Sequence, residues 1–166
     1  MDISLLINII GIVITLTSIG ITIYTINQSK SEFRAVSLNR QKAMTGIWTG
    51  KYEQLDPIKE GDETSARPSG NLTLDLDAGK RTIKGEMTLE WTTGINRTDK
   101  WFCKGGFKSE RFLEITFQNR DDKIIQFGSL LMELDPLGKN LSGRVQGFGP
   151  VSGRIISGLV ELTTEP

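Results

Sequence analysis

The sequence predicts an all-β domain, a small antiparallel up-and-down β-barrel of about eight strands, preceded by one N-terminal transmembrane α-helix. Three observations lead to this prediction. A long apolar run lies near the N-terminus, apolar and polar residues alternate from Thr45 onward, and turn residues recur in that region about every ten residues. We divide the 166 residues into a transmembrane helix at 1–29, a basic juxtamembrane linker at 30–44 and a barrel domain at 45–166.

The apolar run covers residues 5–26 and carries no charged side chain. As a helix with a rise of about 1.5 Å per residue it is about 33 Å long, enough to cross a hydrocarbon core of about 30 Å. A cleaved signal peptide fits less well, because no basic segment precedes the run and no small-residue cleavage site follows it. The run is therefore interpreted as a single membrane-spanning helix.

The charges that flank this run predict its orientation. Lys30, Arg34, Arg40 and Lys42 all follow it, whereas only Asp2 and the terminal amine precede it. The positive-inside rule then places the N-terminus outside and the C-terminal domain in the cytoplasm. The basic linker is expected to be helical for part of its length, and its role as an orienting signal is sufficient to explain its charge.

Small and polar residues recur along the helix at alternating spacings of four and three, which is the spacing of a helix–helix seam. The residues of this seam are Ser4, Asn8, Gly11, Thr15, Ser18, Thr22 and Thr25. Such residues let membrane helices approach closely and hydrogen-bond to one another, so the spacing favours a homo-oligomer. The competing interpretation is that these Ser and Thr residues bond to their own backbone. A seam of this polarity could also line a pore.

The alternating region contains strand candidates separated by marked turns. They are Gly46–Leu55, Asn71–Leu76, Thr82–Trp91, Lys100–Phe107, Arg111–Gln118, Lys123–Leu134, Leu141–Phe148 and Arg154–Leu162. In the second of these, Leu72, Leu74 and Leu76 share one face and polar residues share the other, as expected for a sheet with one solvated side. Strands in hairpin order with no helix between them favour a closed up-and-down barrel, and a two-sheet sandwich is the alternative.

Composition excludes several classes of function. The chain has no histidine and a single cysteine, Cys103. Histidine-dependent catalysis, histidine zinc sites and multi-cysteine metal sites within one chain are therefore not available, and we expect no enzyme activity, no catalytic residue, no metal and no cofactor. The formal net charge is zero, which argues against a DNA or RNA polymer as ligand.

An eight-stranded barrel has an interior just wide enough for its own side chains or for one small ligand. Arginines can hold a phosphate through two parallel hydrogen bonds, and aromatic rings can stack on a base. The candidate ligand-binding residues are Trp48, Tyr52, Arg144, Gln146, Phe148 and Arg154. The competing interpretation is that Trp48 belongs to the core and that Arg144 is simply exposed on a strand.

Two resemblances follow from these residues. The segment from Thr45 to Tyr52, TGIWTGKY, resembles the Gly-x-Trp start of lipocalin-type and avidin-type barrels. The membrane anchor followed by a minimal β-barrel, with Trp48, Gly50 and Tyr52 at the barrel entry, resembles the transmembrane β-barrel effectors of bacterial anti-phage (CBASS-type) defence. That family commonly carries two membrane helices, and this sequence shows one.

The second resemblance implies a function. It implies that the barrel binds a cyclic dinucleotide or related small anionic ligand made by a partner nucleotidyltransferase. Binding would then promote oligomerisation in the bacterial inner membrane, disrupt the lipid bilayer and stop the infected cell, which is abortive infection. The alternative is a membrane-tethered barrel that serves as a binding or scaffold module for a protein or a small apolar ligand.

Overall fold

Eight antiparallel strands and one short helix make up the computed structural model, which describes residues 33–57, 67–93, 97–121, 123–149 and 153–164. The helix α1 spans Leu38–Met44. The strands are β1 (Gly46–Gln54), β2 (Ser69–Ala78), β3 (Ile83–Trp91), β4 (Thr98–Phe107), β5 (Phe112–Asn119), β6 (Phe127–Leu134), β7 (Asn140–Gly149) and β8 (Arg154–Thr164).

The strands form a closed barrel in which each strand pairs with its neighbours in the sequence. The last strand returns to the first, with Gly50 opposite Leu162 and Gln54 opposite Gly158. This confirms the predicted eight-stranded up-and-down barrel and excludes the two-sheet sandwich. Closure also leaves no strand with an unpaired edge within the described sheet.

The predicted alternation matches the burial of the side chains. Leu72, Leu74 and Leu76 on β2 are buried, and Leu113 and Ile115 on β5 are fully buried. The main difference from the sequence prediction is the segment at 123–126, which was assigned to a strand and lies in the loop before β6. The side chain of Asp121 accepts a hydrogen bond from the backbone N–H of Lys123 at 3.0 Å, a local turn that competes with strand pairing.

One end of the barrel is closed by α1, within the segment that the sequence analysis treated as a linker. Ser37 caps the helix, since its hydroxyl accepts a hydrogen bond from the backbone N–H of Arg40 at 3.3 Å. At the other end of the helix, Met44 is fully buried. The indole Nε1–H of Trp48 donates to the carbonyl of Met44 at 3.1 Å, which joins the helix to the inside of β1. The helix is thus the floor of the barrel.

The residues before α1 also belong to this closed end. The backbone N–H of Arg34 donates to the carbonyl of Phe107 at 2.7 Å, and that of Val36 donates to the carbonyl of Lys80 at 3.0 Å. These acceptors lie at the ends of the β2–β3 and β4–β5 hairpins. The compact unit that contains the barrel accordingly begins at Phe33.

The proposed membrane helix and its polar seam, Ser4 to Thr25, lie outside the described residues. In the part of the chain that the structure does describe, no helix has the length and apolar character that a membrane crossing requires.

We expect Met44→Ala to lower the free energy of unfolding by about 2–5 kcal/mol, because it leaves a cavity beneath fully buried Trp48. Denaturant unfolding of the full chain in a mild detergent, followed by tryptophan fluorescence, measures this loss. Lys42→Ala, an exposed position in the same helix, is the matched control and should change stability by less than about 0.5 kcal/mol. Equal effects of the two substitutions would contradict the role of α1 as a floor.

Candidate functional site

A pocket lies at the end of the barrel opposite α1. The cavity volume within it is about 50 Å³, and the total empty space, which includes open solvent, is about 500 Å³. Aromatic side chains and one amide contribute to its lining: Tyr52, Trp91, Trp101, Phe117, Phe148 and Gln126. Among the lining residues that the structure describes, none is Asp, Glu, Lys or Arg. The pocket is therefore an apolar, aromatic site with few polar groups, which is the usual character of a small-molecule site.

Two edge-to-face ring pairs hold the aromatic walls in place. The rings of Tyr52 and Trp91 have centroids 5.6 Å apart and planes at 88°. Those of Trp101 and Phe117 are 5.8 Å apart with planes at 69°. Such pairs add about 0.5–1.5 kcal/mol each beyond the burial of their area, so the walls are preorganised.

The absence of a side chain at Gly158 makes room for Tyr52. Gly158 on β8 lies against the Tyr52 ring, and a Cβ added there would collide with Tyr52 Cε2 and lie 2.8 Å from the carbonyl oxygen of Glu53. Only glycine lets the tyrosine occupy this position where β8 pairs with β1. Burial raises the pKa of Tyr52 well above its ordinary value, and Asp56 adds to the effect, so the hydroxyl is neutral at physiological pH.

Trp101 contributes a buried polar atom without a partner. Its side chain lines the pocket and the residue is only 3% exposed. Its indole Nε1–H, which is a donor only, makes no hydrogen bond within the described part of the chain. An unmet buried donor costs about 1–3 kcal/mol, so such a group in a pocket is a candidate ligand contact.

Gln126 supplies the amide of the pocket. The residue is 8% exposed, and its Oε1 accepts a hydrogen bond from Asn119 Nδ2 at 2.8 Å. The backbone also joins these residues, because the N–H of Asn119 donates to the carbonyl of Gln126 at 2.8 Å. The amide is therefore held in one place at the base of the β5–β6 loop.

A carboxylate fixes the orientation of Trp91. Asp99 Oδ2 accepts the indole Nε1–H of Trp91 at 2.7 Å and also pairs with Arg97, whose NH2 lies 2.9 Å away. The Asp99 side chain is 11% exposed, so the pair is largely shielded from solvent. The negative charge is balanced beside the pocket and not inside it.

A second carboxylate ties the β1–β2 connection to β8. Asp56 Oδ2 accepts from the backbone N–H of Ser157 at 2.5 Å and from its hydroxyl at 2.7 Å. Arg154 donates to the carbonyl of Pro57 at 2.6 Å. These bonds with Ser157, first of all the backbone one, lower the pKa of Asp56 below its ordinary value.

Cys103, the lone cysteine, lies on the inner face of β4 and is buried. Burial, and to a smaller extent Glu86, raises its pKa to about 12. The thiol therefore stays protonated and unreactive near neutral pH.

The structure brings some of the six sequence-predicted ligand residues together and separates others. Tyr52 and Phe148 both line the pocket. Arg154 is the first residue of β8 and is not part of the pocket lining. It lies two residues before Ile156, which does line the pocket. Trp48 is fully buried at the closed end, with its N–H bonded to Met44.

The remaining two residues, Arg144 and Gln146, are exposed on the outer face of β7. Arg144 lies between Leu131 and Leu159 on the neighbouring strands, and both leucines are also exposed. Nearby, Phe148 stacks on Phe127 with ring centroids 6.1 Å apart and planes at 13°. Leu131, Arg144 and Leu159 thus form a patch on the outer surface that is apolar and contains a cation.

The site residues predicted from the sequence do not include Trp91, Trp101, Phe117 or Gln126. Alternation had placed Trp91 and Phe117 on inward faces, but it carries no signal that separates a pocket wall from a filled core. Gln126 had been assigned to a strand, and only the loop before β6 brings its amide to the pocket.

No protein-family model matches this chain, and none of the curated proteins matches its sequence.

Asp56 makes the stability of the barrel depend on pH. Because its pKa is lower in the folded chain than in the unfolded one, it stabilises the fold above the unfolded pKa of about 3.9, and this contribution is lost as the pH falls through the folded pKa. We expect Asp56→Asn to reduce the free energy of unfolding at pH 7 and to have a smaller effect at pH 3. Denaturant unfolding of the full chain at both pH values measures the difference.

Asp75→Asn, at an exposed position on the outer face of β2, is the matched control for this charge change. An effect of Asp56→Asn that is the same at both pH values would contradict the explanation.

Proposed function

We propose that the barrel is the sensor domain of a membrane-anchored effector of anti-phage defence, and that a cyclic (oligo)nucleotide places a base in the open-end pocket. Binding then promotes oligomerisation through the N-terminal helix and disruption of the inner membrane. One observation carries the proposal: an aromatic pocket that contains the buried, unpartnered indole N–H of Trp101.

The shape and chemistry of the pocket support a base as the buried part of the ligand. Stacking on an aromatic side chain contributes about 1–3 kcal/mol per base. The walls formed by Tyr52, Trp91 and Phe117 are apolar and held by ring contacts, so binding requires little ordering. The indole N–H of Trp101 can donate a hydrogen bond to the ligand, and because this N–H is buried, water reaches it poorly.

The phosphates of such a ligand remain outside the pocket in this proposal. No described lining residue is a cation, so burying a phosphate there would leave its charge without a partner. Arg97 and Arg154 lie beside the pocket, and each is already bonded to Asp99 or Pro57. The phosphates therefore face solvent at the rim, where these arginines are available by exchange of partners.

The membrane step depends on residues 5–26 and on the seam from Ser4 to Thr25, which lie outside the described residues. The chain enters the barrel unit at its closed end, through the backbone bonds of Arg34 and Val36. The ligand thus reaches the pocket from the opposite, open end of the barrel.

The test uses the full chain reconstituted in dye-loaded vesicles of bacterial lipids, titrated with a panel of cyclic dinucleotides. We expect at least one of them to quench or shift tryptophan fluorescence and to release the dye. The double substitution Asn8→Leu with Thr15→Leu should abolish release and preserve binding, because it removes polar contacts from the seam only. Unchanged fluorescence and unchanged permeability across the panel would count against the proposal.

The outer surface around Arg144 favours a second candidate, a tethered module that binds a protein. Leu131 and Leu159, which flank Arg144 on the two neighbouring strands, are 58% and 38% exposed. Apolar residues with a central arginine are typical of protein interfaces. Replacement of residues 1–29 by an unrelated membrane helix distinguishes the two candidates: a module keeps its function in cells, whereas the effector loses dye release.

A further inference from the structure

Two buried side chains of the pocket, Trp101 and Gln126, each present a hydrogen-bond donor. For Trp101 this follows from its chemistry, because an indole nitrogen has no acceptor capacity. Its Nε1–H is buried and has no partner in the part of the chain that the structure describes. A ligand atom that satisfies it must be an acceptor.

For Gln126 the same conclusion follows from the hydrogen bonds of its neighbour. The backbone N–H of Asp121 donates to Asn119 Oδ1 at 2.8 Å, so this atom must be the oxygen and the other amide atom of Asn119 must be the nitrogen. Asn119 Nδ2 in turn donates to Gln126 Oε1 at 2.8 Å. The oxygen of Gln126 is therefore occupied, and its Nε2 group, which makes no hydrogen bond to a described residue, is the part left for a ligand.

Acceptors are scarce in the rest of the pocket. None of the described lining residues is a carboxylate, and Asp99 beside the pocket is already bonded to Trp91 and Arg97. The Tyr52 hydroxyl can either donate or accept. A ligand that brings a donor to Trp101 and Gln126 would bury donors against donors, which is the costly case for buried polar groups.

The two purines differ in this respect. The edge of guanine that carries O6 and N7 presents two neighbouring acceptors, whereas the corresponding edge of adenine presents the acceptor N7 and the donor N6–H₂. Resting on the function proposed above, we propose that the pocket selects a guanine-type base over an adenine-type base, through the Trp101 indole N–H and the Gln126 amide. Asn119 is the positioning residue that sets which atom of that amide faces the ligand.

Cyclic di-GMP and cyclic di-AMP provide the test, because they share the ring of sugars and phosphates and differ only in the base. Titration of the full chain in mild detergent, followed by tryptophan fluorescence or calorimetry, gives the ratio of the two affinities. We expect cyclic di-GMP to bind at least about tenfold more tightly, which corresponds to one hydrogen bond of about 1.4 kcal/mol. Trp101→Phe removes the donor and keeps an aromatic ring, so it should lower the affinity for cyclic di-GMP about tenfold and reduce the ratio.

Asn119→Asp tests the orientation of the Gln126 amide directly. Aspartate keeps an oxygen for the Asp121 N–H, and its second oxygen can only accept, so the Gln126 amide must turn its Nε2 toward residue 119 and its oxygen toward the ligand. The pocket then offers one donor and one acceptor, the pattern that matches adenine N7 and N6–H₂. We expect the ratio to shift toward cyclic di-AMP, an outcome that simple loss of structure does not produce. Gln118→Glu, an exposed position next in sequence, adds the same negative charge and should leave the ratio unchanged.

The outcomes separate this inference from the proposed function. If both dinucleotides bind equally well, or if cyclic di-AMP binds more tightly, the inference is wrong and the sensor function remains. If neither binds while the protein is folded by its fluorescence and unfolding profile, the inference is wrong, and the pyrimidine-containing members of the panel then decide the proposed nucleotide function. If Asn119→Asp and Gln118→Glu change the ratio equally, the positioning role of Asn119 is overturned.

Discussion

The pairing of β8 with β1 is the constraint on which the remaining structure depends. It closes the sheet, gives every described strand two neighbours and fixes the width of the interior. Two glycines lie where these two strands pair. A Cβ on Gly50 would collide with the carbonyl of Glu161, and a Cβ on Gly158 would collide with Tyr52. Closure and the placement of a pocket side chain thus depend on the same pair of strands.

A barrel of this width is filled unevenly along its axis. At the closed end, Trp48, Phe107 and Met44 are fully buried, and the polar atom of Trp48 is bonded to the floor helix. At the open end the aromatic rings of Trp91 and Trp101 contact tyrosine and phenylalanine edge to face and leave space between them. The closed end therefore supplies packing and stability, and the open end supplies a surface for recognition.

The fold was predictable from sequence because alternation and turn residues act locally. The odd-numbered set from Ile83 to Trp91 lies inside, and most strand ends agree with prediction within a few residues. The site was less predictable, because the pocket depends on contacts between residues far apart in sequence. The alternation around Arg144 is weak, because Gly143 and Gly147 lie on the face opposite to it and only Leu141 and Val145 mark that face as apolar. Likewise the Asn119–Gln126 bond exists only because the turn predicted at 119–122 continues as a loop to Gln126, where the sequence predicts a strand.

The backbone bonds of Arg34 and Val36 also determine where the folded unit begins. A fragment starting at Thr45, where the alternating pattern starts, would lack the carbonyl that Trp48 uses and would expose the floor of the core to water. The compact unit extends back to Phe33, whose ring lies under the ammonium group of Lys108 at 4.9 Å. For expression, a fragment of the barrel should therefore start no later than Phe33, because the residues between Phe33 and β1 form its closed end.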